Sequence, residues 1–391
     1  MKIAFFCDAY HPTRSGVAVS AGSTAEELRA RGHEVTIYAP RYTADRDDNP
    51  EREIPGVVYF AAGHWYLAKD FPVAWPGLSR ANVFAEARFH RERYDLVHSH
   101  SPFILGTVGA RWAKHAGIPT VFTFHTLYHR YLHYVPAPSA WTRSWIVAWV
   151  RHYCWLCNHI IAPSRAVSQI VGALQPRTPR SVIPTGIDVE HFQGGDGAAI
   201  RARFGVAEGD TVLLYVGRIV REKNLVFLLR ALAPLLKEEN SRVHLLMVGG
   251  GMFEEEMHAM TAQMGIASRV HCTSFVAPDE VRNYYAAADV FTFASRTETQ
   301  GLTIAESLAA GVPPVVVGAM GAAESVEDGH TGFVVAPREE AFRAAVKRLI
   351  DEPETRKRMS QAAREYAPRL SRAHSTDALV ELYESLLKPA K

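Results

Sequence analysis

At 391 residues, 48% apolar and 21% charged, the chain has the composition of a soluble globular enzyme and enough length for two hydrophobic cores. A net charge of +2 excludes nucleic-acid binding driven by bulk charge and leaves room only for a local basic patch. Four cysteines exclude a disulfide scaffold, and no apolar run approaches the roughly 20 residues needed to span a bilayer.

Taken in order, Lys2–Cys7 reads as a first strand rather than a signal peptide, which predicts a cytosolic protein, or one attached at most to the inner face of a membrane. A loop carrying Pro12 and Gly16 follows over Asp8–Ser20, then a helix over Ala21–Arg31 ended by Gly32, then a strand over Glu34–Ala39. Further strands are predicted at Val57–Ala61, Leu96–His98, Thr120–Phe124, Ile160–Ala162 and Ser181–Ile183, with helices such as Ala81–Glu92 and Pro102–His115 between them. Pro184-Thr-Gly-Ile-Asp188 and the glycine-rich run Gln193–Gly197 break this pattern and read as an interdomain linker. A second alternating series then begins at Thr211–Val216. It continues through Val243–Val248, Val270–Phe275, Val290–Phe293, Pro314–Val317 and Phe333–Val335, and amphipathic helices over Glu339–Leu349, Thr355–Tyr366 and Ser375–Leu387 close the chain. The fold class is α/β, with two doubly wound, Rossmann-like domains of similar size facing across a cleft.

The densest chemistry lies between Ser295 and Pro313. Val290–Phe293 reads as a buried parallel strand, Gly301–Ala310 as a helix, and Gly311 as its stop. Backbone N–H groups around Gln300, Gly301, Leu302 and Thr303 then form a helix N-terminus, a natural seat for phosphate. Glu298 precedes that seat and Glu306 follows it by one to two turns. Two carboxylates flanking an anion site suit a ligand with hydroxyls at both ends and phosphates between them, such as a nucleotide-sugar. Arg218 and Lys223, in the loop after Val216, can reach a pyrophosphate, the guanidinium as a fork and the ammonium as a point charge. Gly249-Gly-Gly251 is a strand-to-helix turn without the G-x-G-x-x-G fingerprint, and no phosphate loop ends in Gly-Lys-Ser/Thr, so dinucleotide and kinase readings fall.

In the first half, His98, His100 and His125 fall at strand ends, and His125 can orient a sugar or accept a hydroxyl hydrogen bond. Their spacing matches no helical metal-ligand pattern, Cys154 and Cys157 have no second pair at zinc spacing, and Asp45-Arg-Asp47 reads as solvated surface, so no metal is expected. Trp141, Trp145 and Trp149 recur at i, i+4 and i+8 beside Arg143 and Arg151. The stripe either dips into a membrane interface or packs into the core, and the surrounding Ile146, Val147 and Val150 favour the core.

These residues together resemble the large retaining glycosyltransferase family four, with its GT-B fold and Glu-x7-Glu motif. Glu298 and Glu306 stand at that spacing, supported by Gly16, His125, Ile183-Pro-Thr-Gly-Ile-Asp188 and Gly217-Arg218 with Lys223. His98-Ser-His-Ser-Pro102, Phe124-His-Thr-Leu-Tyr128, Tyr131-Leu-His-Tyr134 and Thr297-Glu-Thr-Gln-Gly301 look most like bacterial diacylglycerol glucosyltransferases. The resemblance implies an acceptor-binding domain over residues 1–190, joined by a C-terminal helix over 373–391 that crosses back, and a nucleotide-sugar domain over 198–370. It implies that Glu298 holds the donor sugar and Glu306 the ribose, and that Arg218, Lys223 and the backbone from Gln300 to Thr303 neutralise the diphosphate. Gly16 would let the first loop approach the phosphates, while Phe275 and Val276 would lie near the base. His125 and Tyr128 would meet sugar and acceptor, with Trp141, Trp145 and Trp149 as acceptor or membrane contacts. The implied reaction moves a hexose from a nucleotide-sugar, UDP-glucose foremost, to a lipid such as diacylglycerol in glycolipid biosynthesis, at a peripheral membrane site and without a metal cofactor. The rivals are a soluble or polyisoprenoid-linked acceptor and a non-catalytic nucleotide-sugar sensor; the intact motif residues weigh against the sensor.

Overall fold

A computed structural model describes residues 1–11, 16–41, 54–64, 72–75, 79–128, 140–238 and 241–388. Asp45, Asp47 and the Tyr131–Tyr134 segment lie outside them. The chain forms two compact units, Met1–Gly186 with Ser375–Lys391, and Ile187–His374.

In the first unit the strands are β1 (Lys2–Phe6), β2 (Glu34–Pro40), β3 (Val57–Phe60), β4 (Ala62–His64), β5 (Pro72–Ala74), β6 (Leu96–Ser99), β7 (Thr120–Thr123), β8 (His159–Ala162) and β9 (Arg180–Val182). Seven of them make one parallel sheet in the order β3-β2-β1-β6-β7-β8-β9, while β4 and β5 form a small antiparallel pair. The central strands read as continuous apolar runs because helices cover both faces; Ile3, Phe5, Leu96 and Val121 are all fully buried. The C-terminal helix Arg372–Leu387 adds Leu379 and Tyr383 to this core.

The second unit contains β10 (Thr211–Val216), β11 (Val243–Val248), β12 (Val270–Cys272), β13 (Val290–Phe293), β14 (Pro314–Val317) and β15 (Phe333–Val335). They form a parallel sheet in the order β12-β11-β10-β13-β14-β15. In both units the strand order reverses beside the first strand of the series, between β1 and β6 and between β10 and β13. Helices leave opposite faces there, so a crevice opens at the carboxyl ends of those two strands.

Three expectations are corrected. The first helix spans Gly16–Ala30, so it starts five residues before Ala21; its opening Gly-Val-Ala-Val-Ser-Ala is small, holds no proline and continues the helix without a break. The predicted linker is ordered structure of the second unit. Ile187 bridges to Ser371, Asp188 caps the helix Val189–Gln193, and Asp196 caps the helix Gly197–Arg203. Gly195 and Gly197 serve close packing, since a Cβ on Gly197 would stand 2.4 Å from the Ala286 carbonyl oxygen and one on Gly195 2.7 Å from that of Arg282. Finally, the strand predicted over Val270–Phe275 ends at Cys272, because Ser274 turns to φ 54° and breaks the extended run.

Candidate active site

The residues at the second unit's switch point come from three loops. Gly217 and Arg218 directly follow β10, and a short 3-10 turn, Arg221–Lys223, leads through Asn224 into the helix Leu225–Lys237. Asn224 stands at φ 58° and its side chain donates to the Ala294 carbonyl at 3.1 Å, tying the β10 loop to the end of β13. Lys223 then pairs with Glu298, and both side chains are only 17% exposed. The Lys223 ammonium also lies 5.9 Å from the centre of the Phe293 ring, and Ser295 Oγ donates to Glu298 Oε1 at 3.0 Å. The carboxylate therefore has two donors before any ligand arrives, and the pair spans the switch point itself.

The helix Leu302–Ala310 begins beyond Gly301, which sits at φ 85° and provides no side-chain cap. Its first-turn N–H groups thus face the loop with the positive end of the dipole behind them. The Glu298 carbonyl accepts from Gly321 N–H at 3.1 Å, and a Cβ on Gly321 would come within 1.9 Å of the Thr299 carbonyl oxygen. This close approach holds the 298–301 loop against the next turn. Gln300 is buried, and Leu302 and Thr303 are half-buried in the first turn. Glu306 lies one turn further, where Tyr285 Oη stands 2.8 Å from its Oε2. Burial raises this carboxyl to about 7.

Arg218 is exposed, and its carbonyl accepts from Tyr215 Oη at 2.9 Å. Behind the loop, Gly249 at φ 127° has the Gly217 carbonyl oxygen 2.2 Å from where a Cβ would sit, so β10 and β11 converge only because no side chain intervenes. Phe275 is 63% exposed and lies over Gly250, with Val276 half-buried beside it; the ring offers a flat apolar face at the edge of the site.

At the first unit's switch point the groups are different. Asp8, two residues past β1, accepts from Leu105 N–H at 2.8 Å and from Ser101 Oγ at 2.7 Å, with Gly106 N–H at 3.5 Å. It fills the N-terminus of the helix Ile104–Ala116, whose own N-cap residue, Phe103, makes no side-chain cap bond. Burial raises the Asp8 carboxyl while these donors lower it. Beside it three imidazoles stack, His98 on His100 at 4.3 Å and His100 on His125 at 5.3 Å between ring centres. His98 bonds to Tyr383 Oη at 2.5 Å and Thr123 Oγ1 at 2.7 Å, while His100 Nδ1 meets His125 Nε2 at 3.0 Å. Desolvation holds His98 down to about 3 and His125 to about 4, so the stack is neutral at pH 7. Buried His100 Nε2 has no hydrogen-bond partner.

Tyr128 is half-buried and set edge-on to Phe103 at 5.0 Å. Gly16 is the first residue of its helix, and a Cβ there would meet nothing within 4 Å, so crowding does not require glycine. The core reading of the tryptophan stripe is overturned in part. Trp141 is 87% and Trp145 63% exposed, because the apolar Val150 and Tyr153, not the indoles, turn inward. Only Trp149 is half-buried, donating to the Pro102 carbonyl at 2.7 Å and stacking on Trp145 at 5.5 Å. A groove of about 840 Å³ follows this helix, lined by Arg143, Val147, Arg151, Trp155 and Arg177 among others, with no carboxylate among the described residues of its lining.

Sequence reasoning thus found the Glu298, Lys223 and helix N-terminus grouping but missed Tyr285, Asn224 and Asp8. Tyr285 and Asn224 carry no local signal. Asp8, an acidic residue directly after a buried strand, could have been noticed.

Residues 14–191 match the family described as Glycosyltransferase Family 4, and residues 196–366 match Glycosyl transferases group 1. The chain is 34% identical over 328 residues to an alpha-monoglucosyldiacylglycerol synthase of Streptococcus pneumoniae, an alignment covering 81% of this chain and 71% of that protein. It is 31% identical over 390 residues to a D-inositol 3-phosphate glycosyltransferase of Nocardia farcinica, covering 95% and 85%. Among solved structures, Anabaena Alr3699/HepE in complex with UDP superposes with a TM-score of 0.78 at 22% identity, over 98% of this chain and all of that one. With two parallel-sheet units of the GT-B type and relatives above 30% identity over 81% and 95% of its length, the chain belongs to glycosyltransferase family four.

Proposed function

We propose that the protein is a retaining hexosyltransferase that moves glucose from UDP-glucose to a membrane lipid such as diacylglycerol. The observation that carries the donor half is the uncapped helix N-terminus at Leu302, with Lys223 and Glu298 at its mouth and Glu306 one turn inside. The diphosphate sits on the helix N–H groups and displaces Lys223 from Glu298. The glutamate is then freed to accept sugar hydroxyls, and Glu306 those of the ribose. Departure of the diphosphate concentrates negative charge on the leaving oxygen, where Lys223, Arg218 and the helix N-terminus stabilise it. Because both glutamates are engaged in binding, attack comes from the same face of the sugar, guided by the leaving phosphate, and configuration is retained. These fixed cations do the neutralising, so no metal cofactor is required. His125 positions the sugar and the acceptor.

Support for a lipid acceptor comes from the 34% identity to a glucosyldiacylglycerol synthase and from Trp141, Trp145 and Trp155, exposed on the helix whose groove is lined by arginines. Among the described residues no helix is long and apolar enough to cross a membrane, and peripheral attachment fits this face. A soluble phosphorylated polyol is the second reading, favoured by similarity over 95% of the chain to an inositol phosphate glycosyltransferase.

The test incubates purified protein, with and without EDTA, with UDP-glucose, GDP-mannose or ADP-glucose and either diacylglycerol vesicles or inositol phosphate. An α-glucosyl lipid formed from UDP-glucose in EDTA is the expected product, and Trp141→Ser with Trp145→Ser should reduce pelleting with vesicles. Transfer only to inositol phosphate overturns the lipid reading, an inverted anomer overturns retention, and no transfer or hydrolysis with any donor overturns catalysis.

A further inference from the structure

Tyr285, on the helix Val281–Ala287, is fully buried, with its ring edge-on to Phe192 at 5.5 Å and beside Phe291 at 5.9 Å. Packing therefore sets where its hydroxyl lies. That hydroxyl stands 2.8 Å from Glu306 Oε2 and 3.0 Å from the Thr303 carbonyl oxygen. Both neighbours are acceptors when Glu306 is ionised, yet a phenol carries one hydrogen. One of the two short O···O contacts would then hold no proton. A protonated Glu306 removes the conflict, because the carboxyl donates to Tyr285 Oη and Tyr285 donates to Thr303.

Among the described residues no other group supplies the missing charge or donor. The helix bearing Glu306 packs against Val189–Gln193, Val281–Ala287, Pro353–Tyr366, the turn Ala367–Leu370, and strands β13 and β14. Among the described residues, Glu190, His191, Arg282, Arg364 and Arg369 on those elements form no bond or ion pair with Glu306, and the two strands carry no titratable residue. Arg364 lies at Gly311, beyond the end of the helix, and Lys223 is committed to Glu298. Burial without a cation raises the carboxyl to about 7, in agreement with the geometry.

We propose that Glu306 holds a proton in the donor-free protein, that Tyr285 is the positioning residue which orients the carboxyl through it, and that a nucleotide-sugar expels the proton when its vicinal ribose hydroxyls donate to both carboxyl oxygens. The second half rests on the donor-site reading above; the first does not. A neutral carboxyl offers only a weak acceptor at its hydroxyl oxygen and no charge to strengthen either bond, so donor affinity falls as acid keeps the proton in place.

The first measurement is the infrared C=O stretch of protonated carboxyls in the free protein, as a difference between wild type and Glu306→Gln at pH 6. A band lost in the variant, and lost in wild type as pH rises past 7, is expected; no difference band overturns the proposal. The second is the Kd of UDP-glucose, whose diphosphate does not titrate near neutrality, between pH 6 and 8. Affinity should drop by up to about tenfold per pH unit on the acid side and be flat in Glu306→Gln. Tyr285→Phe, which keeps the ring packing, removes the acceptor of the carboxyl proton, so the acid fall should move to lower pH, while lost orientation of the ionised carboxyl should weaken binding at pH 8 by about three- to tenfold, raising donor KM more than it changes kcat. A pH-independent Kd in wild type overturns the linkage. If no nucleotide-sugar binds, the donor reading fails, while the infrared band still decides whether the proton is there.

Discussion

In the first unit, the helix that follows β6 has its first turn filled by the carboxyl of Asp8, while in the second the corresponding helix after β13 starts at Gly301 with no side-chain cap. Asp8 stands two residues beyond β1, and Arg218 stands two residues beyond β10. The same place in the same strand order thus carries an acidic side chain in one unit and a basic one in the other. An internal carboxylate occupies the first unit's anion seat, and neutral imidazoles line the ground beside it. The second unit leaves its seat open and puts Lys223 and Arg218 around it. A doubly wound sheet offers a crevice wherever its order reverses, and the side chains at two or three strand ends determine what can bind there.

The largest effect that would break this contrast is on turnover. Lys223→Ala or Arg218→Ala should lower kcat about 10²- to 10³-fold, the usual cost of removing one stabiliser of developing charge. Donor affinity should change far less. Steady-state kinetics with UDP-glucose decide it, and normal turnover in both variants would mean that the phosphate lies elsewhere.

Next comes the carboxyl that closes the first seat. Asp8→Ala removes the acceptor for Leu105 N–H and Ser101 Oγ and leaves the helix start uncapped, which should cost about 2 kcal/mol. Urea unfolding should show the loss, with hydrogen exchange locating it in the first unit. Unchanged stability would deny Asp8 its capping role.

The smallest effect sharpens the contrast through pH. His98 is held down to about 3 when folded and His125 to about 4, against an ordinary value near 6.5. The unfolded chain therefore binds protons that the folded first unit refuses, so stability is present above about pH 6.5 and is lost as pH falls toward 4. Each buried histidine contributes a slope of at most about 1.4 kcal/mol per pH unit. Glu306 has the opposite sign. Its folded value of about 7 lies above the unfolded 4.5, so its contribution is complete below pH 4.5 and is lost as pH rises through 7. Hydrogen exchange followed from pH 7 to 5 should show the first unit weakening first; equal weakening of both units would argue against neutral histidines.

Much of this arrangement was legible along the chain. Runs such as Thr211–Val216 and Val290–Phe293 announced buried parallel strands, because a strand covered on both faces needs apolar residues at every position. Glu298, Gly301 and Glu306 could be placed relative to one another because a loop, a helix start and one helical turn have fixed local geometry. Trp141 and Trp145 misled because an apolar helix says nothing about which of its faces finds a partner. Gly195 and Gly197 looked like part of a linker because composition cannot tell a flexible glycine from one pressed against a neighbouring backbone.

The sequence by itself determined the two strand series, the open helix start and the residues around the phosphate seat, since those depend on neighbours a few positions apart. Only the tertiary structure could show that Asp8 closes the matching seat 97 residues away in Leu105, or that Tyr285 Oη stands 2.8 Å from Glu306 across a gap of 21. Those contacts join side chains whose separation is set by how strands and helices pack, and no local periodicity records such a distance.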